Sequence, residues 1–386
     1  MKRIMATLFL WAMAFILHAE SQAPAPSTVN IERTFDRMSP PSGDINIWSL
    51  ASGGYDSEDA YKWGENGWTC ESNSDPKHGQ CQSSQLWGKP GITNIPLLFI
   101  EKRSGMRVIL NLKGYRTYAY HKGGGYRGEC GYGPSNVDVR MQIYSAVDMV
   151  CGDDKTQVAQ EVLLTAYIPA AELAKLPVGG LWQADLHLRL MQYSNQFRAD
   201  FNAHIDLNVI DPSHIDIYFP EFSSAAPLVE LDLRPHGAPD ESPFAEDMTT
   251  LDMCLYDGYN ANSTRFEVRL KDDGIQPSGR SVGDFSIYRD EGEKGPLRDR
   301  IDYHVKLRDP ETGSMLNVNN NQNIVWTQIN QNRIRPVRLP TITYPVLCVP
   351  APLVLSVDKF YIKEKNAGHY RGILSVIFTP TTPTVD

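Results

Sequence analysis

Three observations predict an all-β, exported chain of two sandwich domains. Apolar residues alternate with polar ones at period two, helical patterning is scarce, and every cysteine lies behind an export leader. Met106, Val108, Leu110 and Leu112 alternate with Arg107, Asn111 and Lys113, broken only by Ile109. Ala184, Leu186, Leu188 and Leu190 alternate with Asp185, His187 and Arg189, and Ala203, Ile205, Leu207 and Val209 with His204, Asp206 and Asn208. Phe266, Val268 and Leu270 repeat the pattern, as do Tyr303, Val305 and Leu307. Such alternation puts one strand face in a core and the other in water. Many short strands separated by Gly, Pro, Asn and Asp predict β-sandwiches. The best helical candidate, Pro169 to Pro177, carries proline at its first turn and at its stop, so it spans two turns at most.

From the N-terminus, Lys2 and Arg3 precede an apolar run from Ala6 to Leu17 and then small residues. That is a secretory signal peptide, 1–23, with cleavage after Ala23 favoured over Ala19 because Ser21 rather than Leu17 stands at −3. The run is short for a membrane span, and no later stretch is long and apolar enough to be one. Asp211-Pro212-Ser213-His214 is turn chemistry between two strand patterns and divides the mature chain. The domains are expected at 24–211 and 215–386, with 212–214 as a short linker. A net charge of −9, with both signs interspersed, excludes the clustered basic footprint that nucleic acid requires.

Cys70, Cys81, Cys130, Cys151, Cys254 and Cys348 are an even count in an oxidising compartment, which suggests three disulfides. Six cysteines allow fifteen pairings, and sequence alone does not choose among them. Proximity favours 70–81, 130–151 and 254–348. A bridge across the 94 residues between Cys254 and Cys348 would stabilise by about 4–5 kcal/mol through loop closure.

Several motifs suggest chemistry that their context withholds. Gly279-Arg280-Ser281-Val282-Gly283 fits GxSxG, but a nucleophile elbow needs a strand before it and a helix after it. Here a turn leads into a strand pattern. Gly123 to Gly128 fits GxGxxG without the strand, helix and distal acid of a dinucleotide site. Histidines 78, 121, 187, 204, 214, 236, 304 and 369 show no metal-binding spacing, and no cysteine pair is CxxC, so neither metal nor cofactor is expected. His187 and His204 fall on polar strand faces. Asn262-Ser263-Thr264 is a formal glycosylation sequon. Trp48, Trp63, Trp68, Trp87 and Trp182 fall in the first half and only Trp326 in the second. On a loop stapled by Cys70 and Cys81 such rings could stack on a sugar or grip a protein; otherwise they fill the core.

Long phrases of the chain resemble one family. These are LDMCLYDGYNANSTRFEVRLKDD around Cys254, YPVLCVPAP around Cys348, YIPAAELAKLPVGGLWQADLHL, IEKRSGMRVILNLKGYR, IDIYFPEF and the tail HYRGILSVIFTPTTPTVD. They resemble the tip subunits of colonization-factor and cable-type fimbriae, assembled by the alternate chaperone–usher route (class 5, CfaE/CblD-like). The likeness runs from about residue 92 to the C-terminus, and less clearly from 28 to 91. It implies two tandem immunoglobulin-like sandwiches, an N-terminal adhesin domain and a C-terminal pilin domain, the latter incomplete until another chain donates a strand. It also implies the 254–348 bridge.

The partners implied are a periplasmic chaperone, an outer-membrane usher, the N-terminal donor strand of a major pilin, and a host-cell glycan or protein receptor. The location implied is the fimbrial tip, reached through the periplasm. The groove for the donor strand is expected between Ile215, Ile217 and Phe219 on one side and Leu374, Val376 and Phe378 on the other. The family's receptor site is a cluster of arginines whose places fall at Gln192 and Tyr193 and near Glu65. None is basic here, so Arg189, Tyr193 and Arg198 are the nearby candidates. The leading reading is a non-enzymatic tip adhesin and assembly initiator. Its alternatives are a minor pilin that primes assembly with little receptor binding, and an exported carbohydrate-active enzyme.

Overall fold

The longest alternating runs pair with each other. Gly180–Gln192 and Gln196–Ile210 form an antiparallel hairpin, in register from Gly180 opposite Val209 to Leu190 opposite Ala199, then shifted by a bulge so that Met191 faces Phe197 and Gln192 faces Gln196. Leu186, Leu188 and Leu190 on one strand and Phe201, Ala203, Ile205 and Leu207 on the other are buried, while Asp185, Arg189, Asp200 and His204 face solvent. Period-two patterning fixes this register, because a slip of one residue would turn the whole apolar set outward. The computed structural model describes residues 21–385 except 57, 123–125, 130–139, 148–149, 152–156, 159–160, 223–225, 238–241, 275 and 330. The expected pairing of Cys130 with Cys151 and the leader up to residue 20 lie outside the described residues.

The hairpin belongs to a ten-stranded sheet. Its order is Ser21–Gln22, Ile45–Asp56, Glu161–Ile168, Arg107–Lys122, Thr93–Glu101, Gly180–Gln192, Gln196–Ile210 and Ser27–Asp36, with Gly67–Cys70 and Tyr126–Glu129 as side branches. Its two ends fold over one core: Trp48 lies 5.8 Å from Phe201 between ring centroids, and Trp68 lies 5.5 Å from the same ring. Trp48, Trp63, Trp68 and Trp182 are all buried, so four of the five first-half tryptophans behind the leader serve as core. Trp87 does not; it is 53% exposed. Ser27–Asp36 runs parallel to Gln196–Ile210 along ten residue pairs, so this N-terminal strand is used within its own sheet. The helix expected at Pro169 to Pro177 is one turn, Ala170–Leu173, after Pro169.

The second half builds three smaller sheets around a separate core centred on Phe266, Phe285, Val349 and Leu353. One joins Asp216–Tyr218, Cys254–Tyr256, Val346–Pro350 and Arg335–Val337; Cys254 and Cys348 are bridged there, with Cα atoms 5.7 Å apart. A second is built around Phe244–Leu251, Leu353–Tyr361, Arg300–Arg308 and Phe285–Arg289. The third is Asn323–Trp326, Arg265–Asp272 and Leu374–Thr381. Cys70 and Cys81 are bridged in the first half.

The loop from Asp257 to Ser263 fastens the two halves together. Asn260 and Asn262 donate to the buried Glu101 carboxylate at 2.7 and 2.9 Å, and Tyr259 donates to Asn208 Oδ1 at 2.6 Å. Gly258 sits at φ 67°, where a side chain would run into the Asp211 carbonyl, and Gly179 packs directly on Gly258. Tyr256, Val346 and the Cys254–Cys348 bridge pack in one continuous apolar cluster with the first half. Asn262 is engaged in this contact, so the sequon is not free to carry a glycan in the folded chain.

Two outcomes test this arrangement. Replacing Cys254 and Cys348 with serine is expected to cost about 4–5 kcal/mol. In denaturant melts followed by domain-specific probes, the second-half transition should shift more than the first. Burial, reinforced by Asp257, raises the Tyr259 hydroxyl well above an ordinary phenol. A raised folded value gives stability that is full below about pH 10 and lost as pH rises through the folded value. Tyr259→Phe should lower stability at neutral pH by about 1–3 kcal/mol, through the orphaned Asn208. It should also blunt the alkaline fall in melting temperature, read by calorimetry between about pH 8 and 11.

Candidate functional site

Two places gather the exposed residues that the core leaves over. The first is the far end of the 180–210 hairpin. Its turn, Tyr193-Ser194-Asn195, has Ser194 and Asn195 at φ 69° and 61°, a left-handed conformation that asparagine tolerates through local hydrogen bonds. Asn195 Oδ1 accepts the Gln85 amide at 2.7 Å and so ties the turn to the 82–92 loop. That loop is pinned elsewhere: the Leu86 amide donates to the Tyr144 carbonyl and the Ala146 amide to the Leu86 carbonyl, both at 3.0 Å. The ring of Trp87 on the loop meets that of Tyr193 on the turn edge to face, centroids 5.7 Å apart.

The sequence candidates are distributed around this end. Tyr193 is 48% exposed. Gln192 is half-buried and donates to the Lys62 carbonyl at 2.8 Å. Arg198 donates to the side-chain oxygens of Gln192 and Gln196 and lies 5.5 Å over the Trp63 ring. Glu65 caps the short helix Ala60–Gly64, and its carbonyl and that of Met191 both accept from Gln85 Nε2. Arg189 stands apart along the strand, over the ring of Phe197 at 5.2 Å. The structure thus brings Gln192, Tyr193, Arg198 and Glu65 to one end and leaves Arg189 on the neighbouring outer face.

Lys62 is fixed by Asp56, whose carboxylate accepts from its ammonium at 2.8 Å and from the Glu58 and Asp59 amides at 3.0 and 3.1 Å. The ammonium first, then these amides, hold the Asp56 carboxyl well below the usual carboxylate range. Sequence reading missed Gln85, Asn195 and Phe197. The adjacent Ser-Asn between two alternating runs was the available hairpin signal.

The second place is a groove of about 1360 Å³ on the second half. One wall is Leu228 to Arg234, the other Lys365 to Ile373, and Ile287, Ile301 and Phe360 lie between. Leu228 and Ile373 are 81% and 62% exposed at its margins. None of the six residues expected to form a groove lines this cavity. Ile217, on the strand Asp216–Tyr218 paired with Cys254–Tyr256, and Phe219 just after it pack into the second core, and Ile215 is exposed. Leu374, Val376 and Phe378 pack half-buried against that core, with the Phe378 ring 5.0 Å from Phe266. Their strand, Leu374–Thr381, ends its sheet, paired only with Arg265–Asp272 among the described residues. The 228–234 wall was readable as Val229, Leu231 and Leu233 alternating with Glu230, Asp232 and Arg234.

The other motifs are structural. Arg280 of the GxSxG match is buried against Asp272 at 2.5 Å, and the match leads into the strand Phe285–Arg289. Gly123 to Gly125 lie outside the described residues, and Tyr126–Glu129 is a strand. His187 stacks on His78 at 4.2 Å, and His204 pairs with Asp185 at 2.6 Å. Among the described residues no group of three or more His, Cys, Asp or Glu is placed to hold a metal ion. Nor is any helix among them long and apolar enough to cross a membrane.

Residues 16–212 match the family model of the first domain of the CFA/I fimbrial protein CfaE, and residues 215–382 match that of its second domain. The chain belongs to the CfaE family of fimbrial proteins. It is 32% identical over 321 residues to the CFA/I fimbrial protein CfaE of Escherichia coli, covering 82% of this chain and 80% of that protein. The crystal structure of CfaE, the adhesive subunit of CFA/I fimbria of enterotoxigenic Escherichia coli, superposes with a TM-score of 0.76 at 28% identity, over 94% of both chains. A second solved CfaE-type chain, from a chaperone–tip adhesin complex of CFA/I fimbriae, superposes with a TM-score of 0.59 at 27% identity, over 95% of this chain and 99% of that one. These relatives are fimbrial adhesins, not enzymes.

Asn195→Gly keeps the left-handed turn but loses the bond to Gln85, whereas Asn195→Ala loses both. Hydrogen exchange at the 85–88 amides should rise in both variants. The alanine variant should lose about 1–2 kcal/mol more stability, because a Cβ is disfavoured at that φ.

Proposed function

We propose that the chain is a fimbrial tip adhesin that also initiates fibre assembly, with the two tasks divided between its halves. The first half would carry the host receptor site at the end of the 180–210 hairpin. The second would accept a strand from another chain, first from a periplasmic chaperone and then from the N-terminal extension of a major pilin, as assembly starts at the outer-membrane usher.

The observation that carries this reading is the end strand Leu374–Thr381. It packs a half-buried apolar face on the core and has no neighbour on one edge among the described residues. An unpaired edge beside an apolar groove is a template for an added strand. The strand Ser27–Asp36, by contrast, is consumed within its own sheet. A subunit so built accepts a strand without offering this one, which supports a place at the end of the fibre. Family membership and the relative solved with its chaperone point the same way. One observation favours the priming role over adhesion: the places of the family's receptor arginines hold Gln192, Tyr193 and, nearby, Glu65.

The test is complementation. Expressed alone, the chain is expected to aggregate or be degraded, because an unpaired strand edge leaves backbone donors and acceptors open to pairing with other chains. Fusing a donor strand after Asp386 through a flexible linker, or adding the donor peptide, should give soluble monomer that melts cooperatively. Equal stability without any donor would refute strand acceptance.

A further inference from the structure

Trp87 and Tyr193 are a large aromatic pair that the first half leaves in water. Other tryptophans near the staple, Trp63 and Trp68, are buried, but Trp87 is 53% and Tyr193 48% exposed. Exposing two such rings side by side forgoes burial that each could supply to a core. Their support is nonetheless built in detail. The Asn195–Gln85 bond joins the two elements that carry them, and Lys89 N donates to Ser145 Oγ at 3.3 Å just beyond Trp87. Rings held in place before binding lose little conformational entropy when a ligand arrives.

The two stretches that carry the pair are uncharged, and Lys89 and Arg198 border them. Trp87 lies in Ser83-Ser84-Gln85-Leu86-Trp87-Gly88, and Tyr193 in Gln192-Tyr193-Ser194-Asn195-Gln196-Phe197. Neither stretch holds a charged residue; both are rich in hydroxyls and amides. Two nearby cations are otherwise engaged: Arg198 by Gln192, Gln196 and the face of Trp63, and Lys62 by Asp56. Lys89, next after Gly88, is exposed, so an acidic sugar would have this single flexible ammonium to meet rather than a cluster of cations. A neutral sugar fits better, because one face of a hexose is apolar C–H and its rim is hydroxyl. The face can lie on an aromatic ring while amides meet the rim.

We propose that Trp87 and Tyr193 form a platform for a neutral glycan, a terminal galactose- or N-acetylhexosamine-type sugar, with Gln192, Ser194 and Gln196 supplying polar contacts at its edge. This deepens the adhesin reading above and rests on it.

The test uses the full chain with its donor strand fused after Asp386, on an array of neutral, sialylated and sulfated oligosaccharides. Neutral glycans should bind. Trp87→Ala and Tyr193→Ala should each weaken binding by about tenfold or more, the scale of an aromatic anchor at an interface. Their melting temperatures should stay unchanged, since both rings lie outside the core. Tyr193→Phe, which keeps the ring, should retain binding, and Arg189→Ala should leave it unchanged. Binding restricted to acidic glycans, full binding by Trp87→Ala, or a Trp87-dependent protein ligand without glycan binding would each overturn the platform. Adherence of fimbriated bacteria to epithelial cells separates this failure from that of the wider reading. Unchanged adherence with Trp87→Ala would remove the platform and leave the adhesin, whereas wild-type fimbriae that do not adhere would remove both.

Discussion

A single buried carboxylate organises the junction on which both halves depend. Glu101 is fully buried, and its oxygens accept from the amides of Arg103, Ser104 and Leu181, the Ser104 hydroxyl, and the side-chain amides of Asn260 and Asn262. A buried carboxylate is costly unless its lone pairs are met, so these donors are tied to one geometry. Two come from the far half of the chain. The same residue thus closes the turn after its own strand and anchors the 257–263 loop, while Asn260 Oδ1 also receives the Leu347 amide next to the bridged Cys348. Loss of Glu101 would leave unpaired donors on both sides of the junction.

That junction holds the halves together across a short turn. Pro212–His214 is one turn of 3-10 helix, and Asp211 before it is buried, paired with Arg37 at 2.7 Å and with His214 at 2.6 Å. The contact between the halves is carried by the 257–263 loop and by the apolar cluster around Tyr256 and the 254–348 bridge. The proposed receptor end sits at the opposite tip of the same hairpin whose base, Gly180–Leu181, touches Glu101. Thirteen strand residues, Gly180–Gln192, therefore connect the junction to the tip.

The two proposed sites differ in how they use apolar surface. The groove exposes aliphatic side chains beside Leu228 to Arg234, a segment that lies in no sheet, so it suits an extended chain. The hairpin tip and the loop tied to it expose two rings with amides around them, so they suit a compact ligand that offers an apolar face and a polar rim.

The sequence by itself determined the strand content and the alternating faces of the long hairpin and favoured the bridge 70–81 by proximity, and its phrases carried the family and with it the 254–348 bridge. These properties are local or are held in long aligned runs: period two fixes which side of Leu186, Leu188 and Leu190 is buried whatever the partner strand. Only the tertiary structure decided that Trp63 and Trp68 fill the core while Trp87 does not, because composition is blind to which ring a neighbouring strand covers. It alone drew the groove wall from Leu228 to Arg234 rather than from Ile215 to Phe219, since Ile217, on the strand paired with Cys254–Tyr256, and Phe219 just after it are committed to the core. It alone placed Glu101 against Asn260 and Asn262, residues about 160 positions apart. A side-chain hydrogen bond across that separation leaves no periodic trace in the sequence; it exists only once both halves have folded and met.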